Sequence, residues 1–279
     1  REKQRLFKVI RSLRDSGATI IYITHMMDEI SEICDKLMVL RDGVRSGMMD
    51  AKEYNKAELV STMVGDKAKE MNSAHRTVKS FENSPVYMKV DHWTETGVVS
   101  DISFELHSGE VMGLWGLLGA GRTELVRAIY GADPIESGTI TFNGKKYSPK
   151  SPADGLEAGI GLIPEDRKAQ GCVLSLTIRE NIVYSILKKI SKVSVVQKKQ
   201  EKEIVDQYIK ELNVKTPSPE QLVKNLSGGN QQKVVLAKAL ATNCEILIFD
   251  EPTRGIDVGA KQEIYNLMCK LVEAGKSII

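Results

Sequence analysis

The chain has 279 residues, of which 42% are hydrophobic and 27% are charged, and its formal net charge is +2. This balance is typical of a globular protein with one large core or two modest ones, and the near-neutral charge gives no reason to expect nucleic acid or acidic lipid as the main partner. Four cysteines without C-x-x-C spacing favour neither a disulfide framework nor a zinc site, and no apolar run approaches the roughly 18 residues that span a bilayer. We therefore expect a cytoplasmic protein, which can still dock on a membrane partner.

The first 65 residues alternate helix and strand patterns but contain no glycine-rich phosphate loop. Residues 1–15 are predicted to form a helix. Residues 18–24 (ATIIYIT) form a continuous apolar run, which is typical of a strand buried on both faces of a parallel sheet. His25 follows directly, where α/β folds place ligands. Further along, the pattern predicts a helix over 27–34, a strand over 36–40 and a helix over 53–64.

Residues 66–85 are polar, lack periodicity and are predicted to be a linker. Strand-like segments follow at 86–90, 98–106 and 111–115. Asn143-Gly144 lies between two further strand-like segments and suits a type I′ hairpin turn. A small antiparallel layer is therefore expected to flank residues 116–123.

The stretch 116–123 (GLLGAGRT) lies between a strand-like segment and a helical one. Its glycines allow the backbone to fold tightly, and the helix behind them offers free N–H groups and a positive dipole end. The sequence fits the phosphate-loop pattern G-x-x-x-x-G-K-[ST] except that Arg122 replaces lysine. The motif alone leaves open a glycine-rich turn that serves only packing.

Three later segments complete the pattern. Residues 159–164 are predicted to form a buried strand ending at Glu165, and residues 178–212 are helical and charged, either as a solvated face or as an interaction surface. Residues 226–232 (LSGGNQQ) precede a predicted helix over 234–240. The apolar strand 245–249 then delivers two adjacent carboxylates, Asp250 and Glu251.

An internal repeat indicates the domain organisation. Gly275 aligns with Gly17 at an offset of 275 − 17 = 258, and at that offset Ile278-Ile279 meet Ile20-Ile21. We infer a tandem protein of two similar domains. Residues 1–65 are then the end of the first domain, 66–85 the linker, and 86–279 a second domain that lacks its C-terminal end.

The phosphate loop, the LSGGNQQ segment and the strand ending in Asp250-Glu251 stand in the order found in ATP-binding cassette (ABC) ATPases, which the whole chain resembles. The resemblance implies an α/β P-loop fold with a mostly parallel core sheet, an antiparallel β subdomain and a helical subdomain. It also implies ATP and Mg²⁺ as cofactors.

The resemblance assigns roles to individual residues. Nucleotide contacts are expected from Gly116, Leu118, Gly119, Ala120, Gly121, Arg122, Thr123 and Glu124 in the phosphate loop, from Ser227, Gly228, Gly229, Asn230 and Gln231 in the second motif, and from Trp93, whose alternative role is packing. Mg²⁺ is expected at Thr123, Asp250 and Glu165, where Glu165 stands at a position that often holds Gln. Glu251 is expected to polarise the attacking water, and His25 resembles the histidine that contacts the terminal phosphate.

In that family the Ser227–Gln231 segment closes over ATP held by the other domain, so each site is an interface, within a tandem chain or a homodimer. Arg122 keeps the positive charge, but its side chain ends in a planar guanidinium group where lysine has a compact ammonium group. We therefore expect this loop to bind ATP and hydrolyse it poorly, and we expect the 279-residue chain alone to be weak or inactive.

Within the family, the segments PEDRK (164–168), VKTPS (214–218) and DEPTRGIDVGAK (250–261) resemble the second domain of fused ATPase subunits of bacterial monosaccharide importers of the ribose, galactose or xylose type. The resemblance implies transmembrane permease subunits as partners, a periplasmic or surface sugar-binding protein as an indirect one, and a place on the cytoplasmic face of the membrane. A nucleoside importer and a soluble nucleotide-dependent clamp are the alternatives. The charge balance disfavours a clamp on nucleic acid.

Overall fold

The computed structural model describes residues 2–24, 26–41, 43–64, 81, 84–117, 119–256 and 258–279. By its internal contacts the chain divides into two units: Arg1–His75 with Asp257–Glu263, and Arg76–Ile256 with Ile264–Ile279. The domain limits expected from the sequence remain a prediction. Across these described ranges, no helix combines the length and apolar character that crossing a bilayer requires.

Residues 1–75 of the first unit contain three helices and one hairpin in their described part. They are α1 (Glu2–Asp15), α2 (Met27–Ile33), β1 (Lys36–Arg41), β2 (Val44–Asp50) and α3 (Lys56–Val64). The hairpin β1–β2 is antiparallel, and Leu37 and Val39 of β1 pack with Leu59 of α3 in a small core. The sequence predicted β1 but missed β2.

Residues 18–24 differ from the expected buried strand. They form no strand in the structure, and Ile21 and Ile23 are 89% and 92% exposed. A strand needs a neighbouring backbone to satisfy its N–H and C=O groups. No strand of the described residues pairs with this segment, so its apolar sequence alone does not produce a strand.

The second unit is built on a small parallel sheet. Its strands are β7 (Ile160–Ile163), β10 (Ile246–Phe249) and β11 (Ser277–Ile278), in the order β11-β10-β7. All four residues of β10 are buried, as continuous apolar runs in parallel sheets predict. The expected strand at 111–115 is reduced to one isolated parallel bridge between Val111 and Ile278.

An antiparallel sheet forms the second layer of this unit. Its strands are β3 (Val86–Glu95), β4 (Val99–His107), β5 (Ser137–Phe142) and β6 (Lys145–Tyr147), in the order β4-β3-β5-β6. Asn143 and Gly144 join β5 to β6 with φ of 51° and 71°, which confirms the predicted hairpin turn, since a type I′ turn needs positive φ at both positions. Both sheets contribute to one apolar core.

Helices complete the second unit. They are α4 (Arg122–Tyr130), α5 (Pro152–Ala158), α6 (Ile178–Val183), α7 (Lys198–Glu211) and α8 (Gly228–Ala241), and a short hairpin of β8 (Ser191–Lys192) and β9 (Val195–Val196) separates α6 from α7. A further helix, α9 (Val258–Glu273), has its first residues in the segment assigned to the first unit and the rest, from Ile264, in the second. Thr177 and Glu180 form a capping box that starts α6. The mostly parallel core sheet, the antiparallel layer and the helical part confirm the α/β architecture expected from the sequence.

Candidate nucleotide site

The glycine-rich loop ends at the first residue of α4. Gly119 and Gly121 have φ of 79° and 80°, which only glycine adopts without strain. A Cβ on Gly121 would lie 2.2 Å from Cγ1 of Val99, so the loop also needs glycine there for space. Arg122 opens the helix, and Glu124 is the acidic residue of its first turn. The helix therefore presents its first N–H groups and its positive end at the loop.

The end of β10 brings the two predicted carboxylates to this loop. The Thr123 side chain lies close enough to the Asp250 carboxylate to lower its pKa, and Nη2 of Arg122 donates to Oε1 of Glu251 at 3.0 Å. These contacts join residues about 130 positions apart in the chain. The structure thus places one hydroxyl, two carboxylates and one guanidinium together at the start of α4.

The two carboxylates have different surroundings. Burial raises the pKa of Asp250, and this effect outweighs the nearby Thr123 hydroxyl and the charge of Arg122, which both lower it. Glu251 is partly exposed and has a φ of 44°, a left-handed conformation that is uncommon outside glycine. Such backbone strain persists where the surroundings enforce it and often marks a functional site. A cavity of about 230 Å³ opens beside Arg122, Asp250 and Glu251.

The LSGGNQQ segment forms the start of α8. Ser227 is its exposed N-cap, and Oγ of Ser227 accepts a hydrogen bond from Nδ2 of Asn230 at 3.0 Å. Gly228 and Gly229 form the first turn. The Gln231 side chain is buried instead, where it donates to the backbone oxygens of residues 223 and 226. Gln231 therefore holds the loop before the helix and does not face outward.

A set of polar contacts links these segments within the second unit. Arg254 forms an ion pair with Glu165, and Nη1 of Arg167 donates to the backbone oxygen of Arg254 at 3.0 Å. The Arg167 guanidinium also lies against Gly228, where a Cβ would come within 2.8 Å of Nη2. Glu165 is thus engaged with an arginine. Sequence reasoning assigned no role to either arginine, because no motif pattern pairs them.

Trp93 is fully buried in the core beneath the antiparallel sheet. This placement corrects the nucleotide-binding expectation in favour of packing, because a side chain with no exposed surface offers no face on which adenine could stack. His25 and Leu118 lie outside the described residues. Their expected roles stay predictions.

The loop, the helix start and the paired hydroxyl and carboxylate define a P-loop nucleotide site. Residues 99–254 match the ABC transporter family, which is more than half of the chain, and the chain belongs to this family. It is 46% identical over all 279 residues to a ribose import ATP-binding protein of Bacillus licheniformis, covering 56% of that protein. It is 44% identical over the same span to the ribose import ATP-binding proteins of Oceanobacillus iheyensis and Clostridium tetani, covering 55% and 54% of them. The chain therefore spans about half the length of these relatives.

Solved structures support the same fold. A nucleotide-free ATP-binding cassette from an ABC transporter matches with a TM-score of 0.57 at 21% identity, covering 70% of this chain and 80% of that one. The ADP conformation of an ATP-binding cassette of an ABC transporter matches with a TM-score of 0.58 at 19% identity and the same coverage. At this level of sequence identity, the matches show similarity of fold alone.

Proposed function

We propose that this chain supplies one nucleotide-binding cassette of an ATPase subunit that energises the import of a simple sugar of the ribose type. The observation that carries the proposal is the cluster of Arg122, Thr123, Asp250 and Glu251 at the start of α4. The 46% identity to a ribose import ATP-binding protein over the whole chain supports the transport role.

ATP and Mg²⁺ fit the donors at this cluster. The amides at the start of α4 suit phosphate oxygens, and the Thr123 hydroxyl with the Asp250 carboxylate suits Mg²⁺, a hard cation that prefers oxygen ligands. Among the described residues no group of three or more His, Cys, Asp or Glu could hold a metal by itself. That agrees with Mg²⁺, which usually binds through one or two protein ligands plus phosphates and water. Bound Mg²⁺ would neutralise charge on the phosphates. Glu165 is less suited to the metal, because Arg254 already engages its carboxylate.

Hydrolysis at this site is expected to be slow. Glu251 would accept a proton from the attacking water, but its carboxylate is paired with Arg122 at 3.0 Å. The guanidinium and the attacking water therefore compete for the same carboxylate. A terminal phosphate that competes for Arg122 would release Glu251 only in part. The site therefore holds ATP better than it turns it over.

The start of α8 completes the proposal. Ser227 and the first amides of α8 form a second anion cradle, which we assign to ATP held by another cassette in a tandem-domain or homodimeric sandwich. His25 would contact the terminal phosphate in that other site. The assembly would lie on the cytoplasmic face of the membrane against transmembrane permease subunits, with a sugar-binding protein as indirect partner and no role for nucleic acid.

The test is ATP hydrolysis by the full-length protein assembled with its permease. Glu251→Gln is expected to leave most of the sugar-stimulated hydrolysis, because the other composite site carries turnover. The equivalent change in the other cassette is expected to abolish it. If Glu251→Gln abolished hydrolysis and the equivalent change did not, the assignment of the two sites would be wrong. Recovery of the protein with ribosomes or DNA and without membrane subunits would contradict the transport role.

A further inference from the structure

Positive charge is concentrated in one part of the second unit. Residues 187–202 contain six lysines and one glutamate, a net charge of +5, whereas the whole chain carries +2. This stretch runs from the end of the α6 region through the β8–β9 hairpin into the first turns of α7. Such a local excess in a nearly neutral chain indicates an electrostatic surface.

The single acid in this stretch does not offset the lysines at the surface. Glu201 is buried, and Oε1 of Glu201 accepts from Arg179 at 2.8 Å while Oε2 lies 3.1 Å from Nζ of Lys198. Four other lysines are exposed, and the structure shows no ion pair for them within the ranges it describes; they are Lys188, Lys192, Lys199 and Lys202. Their charges are available to a partner.

The hairpin between these lysines ends in exposed apolar side chains. Val193 and Val195 are 98% and 65% exposed, and Val195 pairs directly with Lys192 across the hairpin. Val193 and Ser194 have φ of 49° and 63°, a turn that favours Asn-Gly, so a β-branched residue is strained there. The backbone N–H of Gln197 bonds to the oxygen of Ile190 at 2.9 Å and anchors the base of the hairpin. Packing within the described part of the unit therefore does not explain why a valine, Val193, stands at the tip of the hairpin.

We propose that this hairpin surface, residues 187–202, binds the headgroup layer of an anionic lipid membrane. Lysines attract anionic headgroups, and a small apolar tip between them can enter the boundary between headgroups and acyl chains. Long lysine side chains keep their charged ends at the phosphates while their stems lie along apolar surface. An acidic protein would match the lysines but gives no reason for the exposed valines.

The test is co-sedimentation of the chain with vesicles of phosphatidylcholine alone or mixed with an equal part of phosphatidylglycerol. Only the anionic vesicles are expected to bind, and binding should weaken with salt. The triple variant Lys188→Gln, Lys192→Gln, Lys199→Gln should lose about 100-fold in partition coefficient, since each lysine near an anionic surface contributes about five-fold. A matched variant, Lys145→Gln, Lys146→Gln, Lys150→Gln, removes the same charge from the β5–β6 hairpin region and should bind nearly as well as the parent chain.

A second variant tests the apolar tip without risk to the fold. Val193→Asn removes the exposed side chain and suits the left-handed turn, so thermal stability should hold or rise while vesicle binding falls several-fold. Equal losses in both lysine triples, or equal binding to neutral vesicles, would overturn the proposal. Unchanged vesicle binding by Val193→Asn, together with equally tight binding of the parent chain to polyglutamate, would assign the surface to an acidic protein instead.

Discussion

Helices α4 and α8 start in similar ways and differ in what surrounds them. Each follows a glycine- or serine-containing loop, and neither N-cap residue, Gly121 or Ser227, accepts a capping hydrogen bond from its helix through a side chain. Both helix starts therefore offer N–H groups and a positive dipole end to an anion. At α4 the end of β10 adds two carboxylates beside Thr123 and Arg122. At α8 the Asn230 and Gln231 side chains bond to the loop itself, and the Arg167 guanidinium, from a distant segment, lies against Gly228.

This difference assigns distinct chemistry to two similar local structures. In the proposed function the start of α4 supplies ligands for a metal ion and a carboxylate for water, whereas the start of α8 supplies amides and one exposed hydroxyl. A helix N-terminus alone binds an anion, but metal binding and proton transfer need side chains from another element.

The largest effect is expected for the glycine that starts α4. Gly121→Ala should destabilise the chain by about 2–4 kcal/mol, because the positive φ and the 2.2 Å approach to Val99 act together. Gly119→Ala has a similar φ but open space, and should cost about 1–2 kcal/mol. Urea unfolding followed by circular dichroism measures both. Equal losses would show that the contact with Val99 does not constrain the loop.

The next prediction concerns metal binding at the end of β10. Asp250→Asn should weaken Mg²⁺-dependent binding of a fluorescent ATP analogue about 10- to 100-fold, as expected for loss of a charged ligand contact worth about 1.5–3 kcal/mol. Glu245→Gln, just before the other end of β10, is the matched control and should leave binding unchanged. If Asp250→Asn left the Mg²⁺ dependence intact, the metal assignment would fail.

At α8 the prediction is a change in stability. Gln231→Ala should lower the free energy of unfolding by about 1–3 kcal/mol, because its buried amide donates to two backbone oxygens. Binding of ATP analogue at the α4 site should stay the same in this chain. Ser227→Ala, at an exposed position, is the control and should change stability by less than about 0.5 kcal/mol. A loss of analogue binding in Gln231→Ala would show that the two helix starts are not independent.

The smallest effect is a pH dependence from Asp250. Because its pKa is raised in the folded chain, this residue favours folding at low pH, and that contribution is lost as pH rises through the folded pKa. Asp250→Asn should therefore be slightly more stable than the parent at neutral pH, by on the order of 0.5 kcal/mol. The gain should shrink as pH falls through the folded pKa and be lost below about pH 3, where an ordinary aspartate is itself mostly protonated. Urea unfolding at several pH values measures it, and a gain that persists at low pH would contradict the burial effect.

Much of the candidate site could be predicted from the sequence. The glycine pattern identified the loop, and the apolar strand predicted where Asp250 and Glu251 would be delivered, because both signals are local. The ion pair of Arg122 with Glu251 and that of Arg254 with Glu165 could not be predicted. Each depends on side-chain positions that only the packing of distant segments fixes.

The two copies of the internal repeat have the same local sequence pattern but different structures. The sequence by itself determined that residues 20–21 and 278–279 share the same apolar pattern and the same preference for a strand. The tertiary structure decided the outcome: Ile278 lies in β11 beside β10 and is fully buried, whereas Ile21 is exposed and forms no strand. A strand gains its hydrogen bonds and its burial from neighbouring segments, and these neighbours are set by the packing of the unit around it.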